Sequence, residues 1–280
     1  MSVRRILHLS DLHVGPPYLP DVAEAALEAA TGLAPDLVVV SGDFTQRAKR
    51  GQFEEARRFL DRLPDVPRVV VPGNHDVPLW RAWERLVRPL GLYREHVAAE
   101  LDGVLRLEGA TVVWLDSTAP RRAISNGRID PGQLDLCSRA LEAVPPDDLR
   151  IVVTHHHFLP APDFERDRAM PRARRALERF VALRVDMILG GHLHRAYIGH
   201  TLDVWAGADR EHGTVIVQCG TTTSRRGRGR EREKNTFNLV EVDPAGDRFT
   251  ITHFAHFADA GGFEPISRHE FPRPSRRSLA

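Results

Sequence analysis

Residues 69–76 read Val-Val-Val-Pro-Gly-Asn-His-Asp, and this stretch decides how the chain folds. A short β-branched run that breaks into Gly73-Asn74 is typical of a buried strand ending in a tight turn. The turn carries an amide, an imidazole and a carboxylate on consecutive residues. The stretch therefore predicts a strand whose carboxyl end presents side chains suited to metal binding or proton transfer.

The same pattern, an apolar run followed at once by possible metal ligands, occurs five times in the sequence. Besides the Gly73 turn, the clusters are Asp11-Leu12-His13, Gly42-Asp43, His155-His156-His157 and Gly190-Gly191-His192-Leu193-His194. Ligands of open α/β sheets bind beyond the carboxyl ends of the strands, so we expect the five clusters to converge at one rim. The simplest architecture is a single domain of two packed sheets, with hairpins completing the second sheet.

Hydrophobic periodicity places helices and strands between these clusters. Predicted helices cover residues 21–32, 52–63, 79–90, 132–143 and 172–183, a hairpin covers 104–115, and later antiparallel strands cover 197–201, 214–218, 237–242 and 249–253. In the helix over 79–90, Trp80 and Trp83 share a stripe with Leu86, and we expect this stripe to pack in the core. The domain is predicted to span residues 1–260, and residues 261–280 a loose tail.

Composition sets only broad limits on function. The chain has 280 residues, 42% hydrophobic and 28% charged, with a net charge of +1, which offers no overall electrostatic argument for nucleic acid or membrane binding. No apolar run approaches the ~18 residues of a membrane span, and the N-terminal run is too short for a signal peptide. Cys137 and Cys219 lack paired spacing, which predicts free thiols in a reducing compartment and hence a cytoplasmic protein. The sequence does not indicate an oligomeric state.

The five clusters supply seven candidate metal ligands: Asp11, His13, Asp43, Asn74, His155, His192 and His194. Seven groups are too many for one tetrahedral zinc and suit two ions that share a ligand. Asp43 is the natural bridge because a carboxylate has two oxygens. The mixture of imidazole nitrogen with carboxylate and amide oxygen favours Mn, Fe, Zn or Co over Ca or Mg. We therefore predict two divalent or trivalent transition-metal ions as cofactors.

The charge of such a centre indicates the substrate class. Two dications held by two aspartates leave about +2, which makes bound water acidic and attracts an anion with exposed oxygens. A phosphate ester attacked in line by metal-bound hydroxide fits this description, and it makes a small-molecule phosphoester the expected partner. His75 is predicted to stabilise or protonate the leaving alkoxide. Asp76 is predicted to hydrogen-bond His75 and fix its tautomer.

Several other polar residues have two possible readings. For His156 and His157, a position in a polar loop is favoured over one in the pocket wall. The arginine run at 225–232 reads either as a solvated loop, the favoured reading, or as a phosphate clamp beside the metals. Nucleic-acid binding is not favoured, because no wider basic face or aromatic platform accompanies this run.

Five motifs occur in this order along the chain: Asp11-x-His13, Gly42-Asp43, Gly73-Asn74-His75-Asp76, His155 and Gly191-His192-x-His194. Together they resemble the calcineurin-like metallophosphoesterase superfamily, over roughly residues 4–257. The resemblance implies an α/β fold, a four-layer αββα sandwich of two mixed sheets flanked by helices. It implies two metal sites: one formed by Asp11, His13, Asp43 and His194, the other by Asp43, Asn74, His155 and His192. The chain is most similar to the bacterial cyclic-nucleotide phosphodiesterase-like branch. It departs from that branch where His155-His156-His157 continues into Phe158-Leu159 before Pro160.

The sequence thus leads us to expect a dinuclear metal-dependent phosphodiesterase, with a 3',5'-cyclic nucleotide as the favoured substrate. One alternative is the same chemistry on the pyrophosphate of a nucleotide-linked lipid precursor, or on a nucleic acid. A lipid substrate predicts an exposed apolar segment near the site, which the charged loop at 160–171 does not offer. Another alternative is a non-catalytic protein-binding scaffold, which predicts missing ligands, and none is missing.

Overall fold

Strands and helices alternate through much of the chain, as the sequence predicts. The computed structural model describes residues 4–121, 125–160, 168–203, 213–227, 233–243 and 248–273. The helices in these ranges are α1 (Pro20–Leu33), α2 (Arg50–Asp61), α3 (Ala82–Val87), α4 (Gly91–His96), α5 (Pro131–Leu141) and α6 (Ala173–Ala182). The strands are β1 (Arg5–Leu9), β2 (Leu37–Val40), β3 (Arg68–Val70), β4 (Gly103–Leu107), β5 (Ala110–Trp114), β6 (Leu149–Val153), β7 (Met187–Gly190), β8 (Tyr197–His200), β9 (Val215–Gln218), β10 (Thr236–Val242), β11 (Arg248–Phe257) and β12 (Gly262–Pro272).

Within the described ranges these strands form two six-stranded mixed sheets. The first has the order β12-β11-β10-β1-β2-β3, in which β1, β2 and β3 are parallel and β10 to β12 are antiparallel. The second has the order β4-β5-β6-β7-β9-β8, with antiparallel edge strands around four parallel ones. The prediction for residues 214–218 was therefore only half right, since β9 is antiparallel to β8 but parallel to β7.

Three apolar layers hold the two sheets and the helices together. Strand side chains alternate between the two faces of a sheet. Leu37 and Val39 of β2 therefore enter the cluster between the sheets, while Val38 and Val40 enter the cluster beneath α1 and α2. A third cluster joins the second sheet to α5 and α6. The predicted four-layer αββα sandwich is confirmed. None of the helices in the described part of the chain has the length and apolarity needed to cross a membrane.

The predicted loose tail is wrong for residues 262–272, which form β12. This strand pairs with β11 over almost its whole length, with a register shift between His253 and Phe254. Pro265 and Pro272 suggested a break, but an edge strand tolerates proline because one side of its backbone needs no partner. Phe263 packs on the cluster beneath α1 and α2. Residues 274–280 lie outside the described ranges.

The predicted helix over residues 79–90 is also different in the structure. Only Ala82–Val87 is helical, and a second short helix begins at Gly91. The apolar stripe does not pack in the core, because Trp80 and Trp83 are 80% and 79% exposed. Periodicity identified an apolar face but could not show whether another element covers it.

Candidate metal centre

The carboxyl ends of five strands bring all seven candidate ligands to one rim. From the first sheet, Asp11 and His13 follow β1, Asp43 follows β2, and Asn74 follows β3. From the second sheet, His155 follows β6, and His192 and His194 follow β7. The parallel pairing of these strands places their ends side by side. The site is thus assembled by both sheets together.

A first group of ligand atoms comes from Asp11, His13, Asp43 and His194, and these atoms all lie within 4.8 Å of one another. His13 Nε2 lies 2.9 Å from His194 Nε2, 3.5 Å from Asp11 Oδ1 and 3.6 Å from Asp43 Oδ2. His194 Nε2 lies 3.2 Å from Asp11 Oδ1. Two imidazoles and two carboxylates converging this closely are a donor set suited to a transition-metal ion.

A second group surrounds the side-chain oxygen of Asn74. His192 Nδ1 lies 2.9 Å from Asn74 Oδ1, and His155 Nε2 lies 3.2 Å from the same oxygen. His155 Nε2 is also 3.4 Å from Asp43 Oδ2. Asp43 Oδ2 therefore faces both groups of ligand atoms, as a shared ligand between two ions would.

The hydrogen bonds of Asp11 and Asp43 indicate that these aspartates are suited to binding a cation. Asp43 Oδ1 accepts the His75 backbone N–H, and Asp11 Oδ2 accepts the Ser10 hydroxyl and the His192 backbone N–H. The other oxygens, Asp11 Oδ1 and Asp43 Oδ2, are buried without a hydrogen-bond partner among the described residues. A buried carboxylate oxygen without a partner is costly, and a cation would satisfy both. Asp11 and Asp43 are therefore residues that would hold cations at this rim.

Five of the seven candidate ligand residues have a left-handed backbone, with φ between 49° and 76°: Asp11, His13, Asp43, His192 and His194. This conformation is unfavourable for residues other than glycine and persists only where the surrounding structure enforces it. Here the backbone N–H groups of Asp11 and His13 donate to the carbonyls of Gly42 and Asp43, at 2.9 Å each. The loops after β1 and β2 therefore fix each other in the shape that directs these side chains inward.

Two glycines permit the close approach of these loops. A Cβ on Gly73 would overlap the Asp43 carboxylate, and one on Gly191 would overlap Ser10 Oγ and lie 2.5 Å from Asp11 Oδ2. Both glycines precede a candidate ligand in their motifs. Their role is thus steric: they leave room for the carboxylate of another strand.

Electrostatics hold both aspartates ionised. Burial alone would raise the pKa of Asp11, but His13 and His194 hold that pKa below its ordinary value. Burial acts in the same way on Asp43, and His155 and His75 hold the pKa of its carboxyl low. Burial opposes charge on His155 as well, but the Asp43 carboxylate raises the pKa of His155 to about 9. Both aspartates therefore present ionised oxygens to the place where a cation would sit.

His75 lies beside the centre, and its two nitrogens have different partners. Nδ1 is 3.0 Å from the Gln46 carbonyl, which can only accept, so Nδ1 carries a proton. Nε2 is 3.2 Å from Nη2 of Arg226, which can only donate. His75 and Arg226 both line an open pocket that also includes Arg47, Val77 and Leu79. Arg226 thus fits the clamp reading of the arginine run, whereas Arg228, Arg230 and Arg232 lie outside the described residues.

The predicted contact between Asp76 and His75 is wrong. Gln46, not Asp76, holds Nδ1 of His75. The Asp76 carboxylate instead accepts the backbone N–H groups of Gly73, Phe44 and Thr45 and the Thr45 hydroxyl. Burial, reinforced by the charge of Asp43, raises the pKa of Asp76 to about 7. Asp76 therefore braces the Gly73 turn against the loop after β2.

His156 and His157 lie in the loop after β6, as predicted, but the prediction of a polar environment is wrong because both are buried. Ser117 Oγ accepts the His156 backbone N–H and lies 2.9 Å from His156 Nδ1. Ser117 also accepts the His155 backbone N–H, so its own proton is directed to His156 Nδ1. The remaining proton of His156 is then on Nε2, a buried atom with no hydrogen-bond partner in the described ranges. The His156 ring lies 4.7 Å from that of His192, so it extends the imidazole cluster.

Fold and site together define the class: an αββα sandwich with candidate ligands for two metal ions at the shared rim of its sheets. The chain belongs to the calcineurin-like phosphoesterase family, whose model matches residues 4–196. The resemblance seen in the motifs is thereby confirmed.

One relative is similar to this chain in sequence, and two solved structures are similar to it in fold. A probable cyclic nucleotide phosphodiesterase from Synechococcus sp. is 28% identical over 168 residues, which span 59% of this chain and 60% of that relative's length. A dimetal phosphatase from Danio rerio has the same fold, with a TM-score of 0.65 at 12% identity, covering 98% of this chain and all of the other. Purple acid phosphatase PPD1 from yellow lupin gives a TM-score of 0.69 at 13% identity, covering 97% of this chain and 54% of that one.

Proposed function

We propose that this protein is a dinuclear metal-dependent phosphodiesterase acting on a small phosphodiester, with a 3',5'-cyclic nucleotide as the favoured substrate. The observation that carries the proposal is the convergence of two ligand groups on Asp43 Oδ2, next to an open pocket that contains His75 and Arg226. The similarity to a probable cyclic nucleotide phosphodiesterase supports the substrate class.

The two ligand groups define which residues would hold the ions. Asp11, His13 and His194 would complete one site, and Asn74, His155 and His192 the other, with Asp43 shared. When bound, two such ions supply a nucleophile from water and neutralise charge on the phosphoryl oxygens. The resident side chains supply the remaining requirements, which are substrate orientation and proton transfer.

Arg226 is suited to orienting the phosphate. Its guanidinium reaches the pocket and touches His75, and arginine forks match the geometry of phosphate oxygens. A bound phosphodiester offers Arg226 a charged acceptor in place of the neutral imidazole. We therefore infer that the substrate draws Arg226 away from His75. Val77 and Leu79 form an apolar wall of the same pocket that suits a base or sugar.

His75 is suited to protonating the leaving group. The Gln46 carbonyl holds the ring through Nδ1, so Nε2 is the atom that faces the pocket once Arg226 has turned to the phosphate. A leaving alkoxide needs a proton, and an imidazolium Nε2–H would supply it. Asp43 Oδ1 fixes the backbone of His75, which ties the position of this acid to the shared ligand.

Hydrolysis assays test the proposal directly. The protein is incubated with bis(p-nitrophenyl) phosphate and with cyclic AMP, with and without added Mn²⁺, after treatment with a chelator. We expect turnover of both diesters that depends on the added ion. Absence of turnover by metal-loaded protein on any phosphoester would support the scaffold alternative, while cleavage of a nucleotide-linked pyrophosphate in preference to cyclic AMP would support the lipid-precursor alternative. A panel compared by kcat/KM ranks these substrates.

A further inference from the structure

The surface beside the pocket contains an apolar patch that the proposed chemistry does not use. We define it as the exposed hydrophobic residues of the segment 79–88: Leu79, Trp80, Trp83, Leu86 and Val87. Among the described residues these make up most of the large exposed hydrophobic side chains, since only Phe257 and Ile266 lie elsewhere. A contiguous cluster of this kind on a folded protein marks an interaction surface.

The patch is held in place rather than loosely attached. Val77 and Leu90 on either side of the segment are buried in the cluster beneath α1 and α2. Arg81 donates to the carbonyl of Ala48, which fastens the segment to the loop before α2. The exposure of the two tryptophans is therefore a stable property of the fold.

Charge around the patch is predominantly positive. Residues 79–88 contain Arg81, Arg85 and Arg88 against a single acid, Glu84, which is paired with Arg81. Arg121 adds a further cation, and its guanidinium lies 3.3 Å from the carbonyl of Leu86. Tryptophan and aliphatic side chains interleaved with arginine are the composition that binds at the interface of an anionic bilayer. Three of the five apolar residues are aliphatic, which suits acyl chains rather than the stacking of nucleic-acid bases.

We propose that this patch docks the protein on the surface of a membrane containing anionic lipids, with the tryptophans at the level of the headgroups and the arginines paired with lipid phosphates. Leu79 belongs both to the patch and to the pocket of His75. Docking therefore turns the mouth of the candidate metal centre towards the lipid surface. The docking inference holds for any substrate, although an exposed apolar segment beside the site is also what the lipid-precursor alternative predicts.

Vesicle sedimentation tests the docking surface. The full chain is mixed with vesicles of pure phosphatidylcholine and with vesicles in which a third of the lipid is phosphatidylglycerol. We expect binding to the anionic vesicles, weakened by salt, and a blue shift of tryptophan emission. Trp80→Ser with Trp83→Ser should reduce the partition coefficient by at least about tenfold. Arg88→Gln, at an exposed position, should reduce it roughly fivefold on anionic vesicles.

A matched double variant provides the control. Phe257→Ser with Ile266→Ser removes exposed apolar side chains from β11 and β12, at the opposite edge of the first sheet from β3. This variant should bind vesicles as the parent does, and both double variants should keep the parent's melting temperature and turnover of a water-soluble diester. The proposal is overturned if the parent ignores anionic vesicles or if the tryptophan variant binds them equally well. It is also overturned if the same variant instead dissolves a dimer of the lipid-free protein or abolishes binding to single-stranded DNA while vesicle binding is absent.

Discussion

At the scale of the residue, the chemistry of the candidate metal centre depends on which side-chain atoms already make hydrogen bonds within the chain. Asp11 and Asp43 each accept hydrogen bonds at one carboxylate oxygen, and the other oxygen is buried without a hydrogen-bond partner among the described residues. His75 has its Nδ1 held by Gln46 and its Nε2 in contact with Arg226. These contacts distinguish the candidate metal ligands Asp11 and Asp43 from the candidate acid His75. Substitutions can test this distinction.

Replacing the candidate acid should damage turnover without removing metal. For His75→Gln we expect kcat on a diester with a poor leaving group to fall by about 10²–10⁴, because proton transfer to the leaving oxygen is lost. The metal content, measured by elemental analysis after gel filtration, should stay at the parent's level, since the His75 side chain belongs to neither ligand group. His256→Gln, on β11, serves as the control and should leave both quantities unchanged. Loss of metal from His75→Gln would contradict the assignment.

Removing the arginine contact should mainly weaken substrate binding. Arg226→Ala takes away the guanidinium that we infer orients the phosphate, and we expect kcat/KM to fall by about tenfold to a hundredfold, chiefly through KM. Arg226→Lys should recover part of the loss, because lysine keeps the charge but not the fork. Arg225→Ala, at the neighbouring exposed position, is the control. Equal kinetics for Arg226→Ala and the parent would rule out the clamp.

A methyl group at Gly191, which is not itself a candidate ligand, should displace the neighbouring candidate ligand Asp11. Its Cβ would overlap Ser10 Oγ and press on Asp11 Oδ2, so we expect Gly191→Ala to weaken Mn²⁺ binding by about tenfold to a hundredfold in a calorimetric titration. Gly132→Ala in α5 meets nothing within 4 Å and should bind Mn²⁺ like the parent. Equal affinity for both variants would show that the loops relax around the added atom.

The sequence was sufficient to predict that the seven candidate ligands lie at one rim, because each comes within four residues of the end of its strand. It did not predict the contact of Arg226 with His75, which are 151 residues apart along the chain. It also assigned Asp76 to the wrong partner, since nothing local indicates that the backbone of Phe44 and Thr45 reaches this carboxylate. Short sequence motifs cannot predict contacts that depend on tertiary packing between distant parts of the chain.

At the scale of the element, β1, β10 and β11 share a buried polar row across the first sheet. His8, Asn238 and His253 occupy paired positions on these strands. Asn238 Oδ1 lies 2.6 Å from His253 Nδ1, and its amide nitrogen lies 3.2 Å from His8 Nδ1. Burial lowers the pKa of His8 to about 3, opposed by Asp11, and that of His253 to about 4, assisted by His269.

This row predicts a loss of stability in acid. Both histidines have an ordinary pKa of 6.5, and the folded protein lowers it, so the unfolded chain binds protons first as the pH falls. Their stabilising contribution is present above pH 6.5 and is lost as the pH falls to about 4 for His253 and to about 3 for His8. At pH 5 the cost from His253 is about 2 kcal/mol. Urea unfolding at several pH values should give a shallower pH dependence for His253→Gln than for the parent, and an identical slope would contradict this account.

Sequence patterns within each element predicted most of the helices and strands, but they did not predict which other elements pack against them. The hydrophobic stripe of residues 79–90 was recognised, yet its exposure depends on the absence of a covering element among the described residues. Strand β12 was missed because Pro265 and Pro272 obscured an alternating pattern that an edge position can accept. In both cases the error concerned the neighbours of the element rather than its own residues.

At the scale of the whole molecule, the candidate ions would join the two sheets. Each ligand group contains residues from both sheets: His194 complements three residues of the first sheet, and His155 and His192 complement Asp43 and Asn74. An apolar cluster that includes Ile6, Ile151 and Leu189 also joins the two sheets. Metal binding should therefore stabilise the entire fold rather than one loop.

Thermal unfolding should reveal this stabilisation. Mn²⁺ at about 100 times its dissociation constant should add about 2.7 kcal/mol to the free energy of unfolding for one site. Asp43→Asn removes the charge of the candidate shared ligand and should abolish most of the increase in melting temperature, measured by calorimetry with Mn²⁺ and with chelator. Asp259→Asn, at an exposed position, should retain it. An undiminished increase in Asp43→Asn would show that the ion binds elsewhere.

The left-handed backbone of five candidate ligand residues has a consequence for how this protein evolves. Each such position would relax if it became glycine, so heat tolerance and the capacity to hold ions place opposing demands on the same codons. A library selected for thermal endurance in the presence of a chelator, where no ion contributes to stability, should accumulate glycine at Asp11, His13, Asp43, His192 and His194. Parallel selection for turnover should keep all five residues unchanged. The difference in melting temperature between the two selected populations then measures the stability lost to the left-handed backbone of the candidate centre.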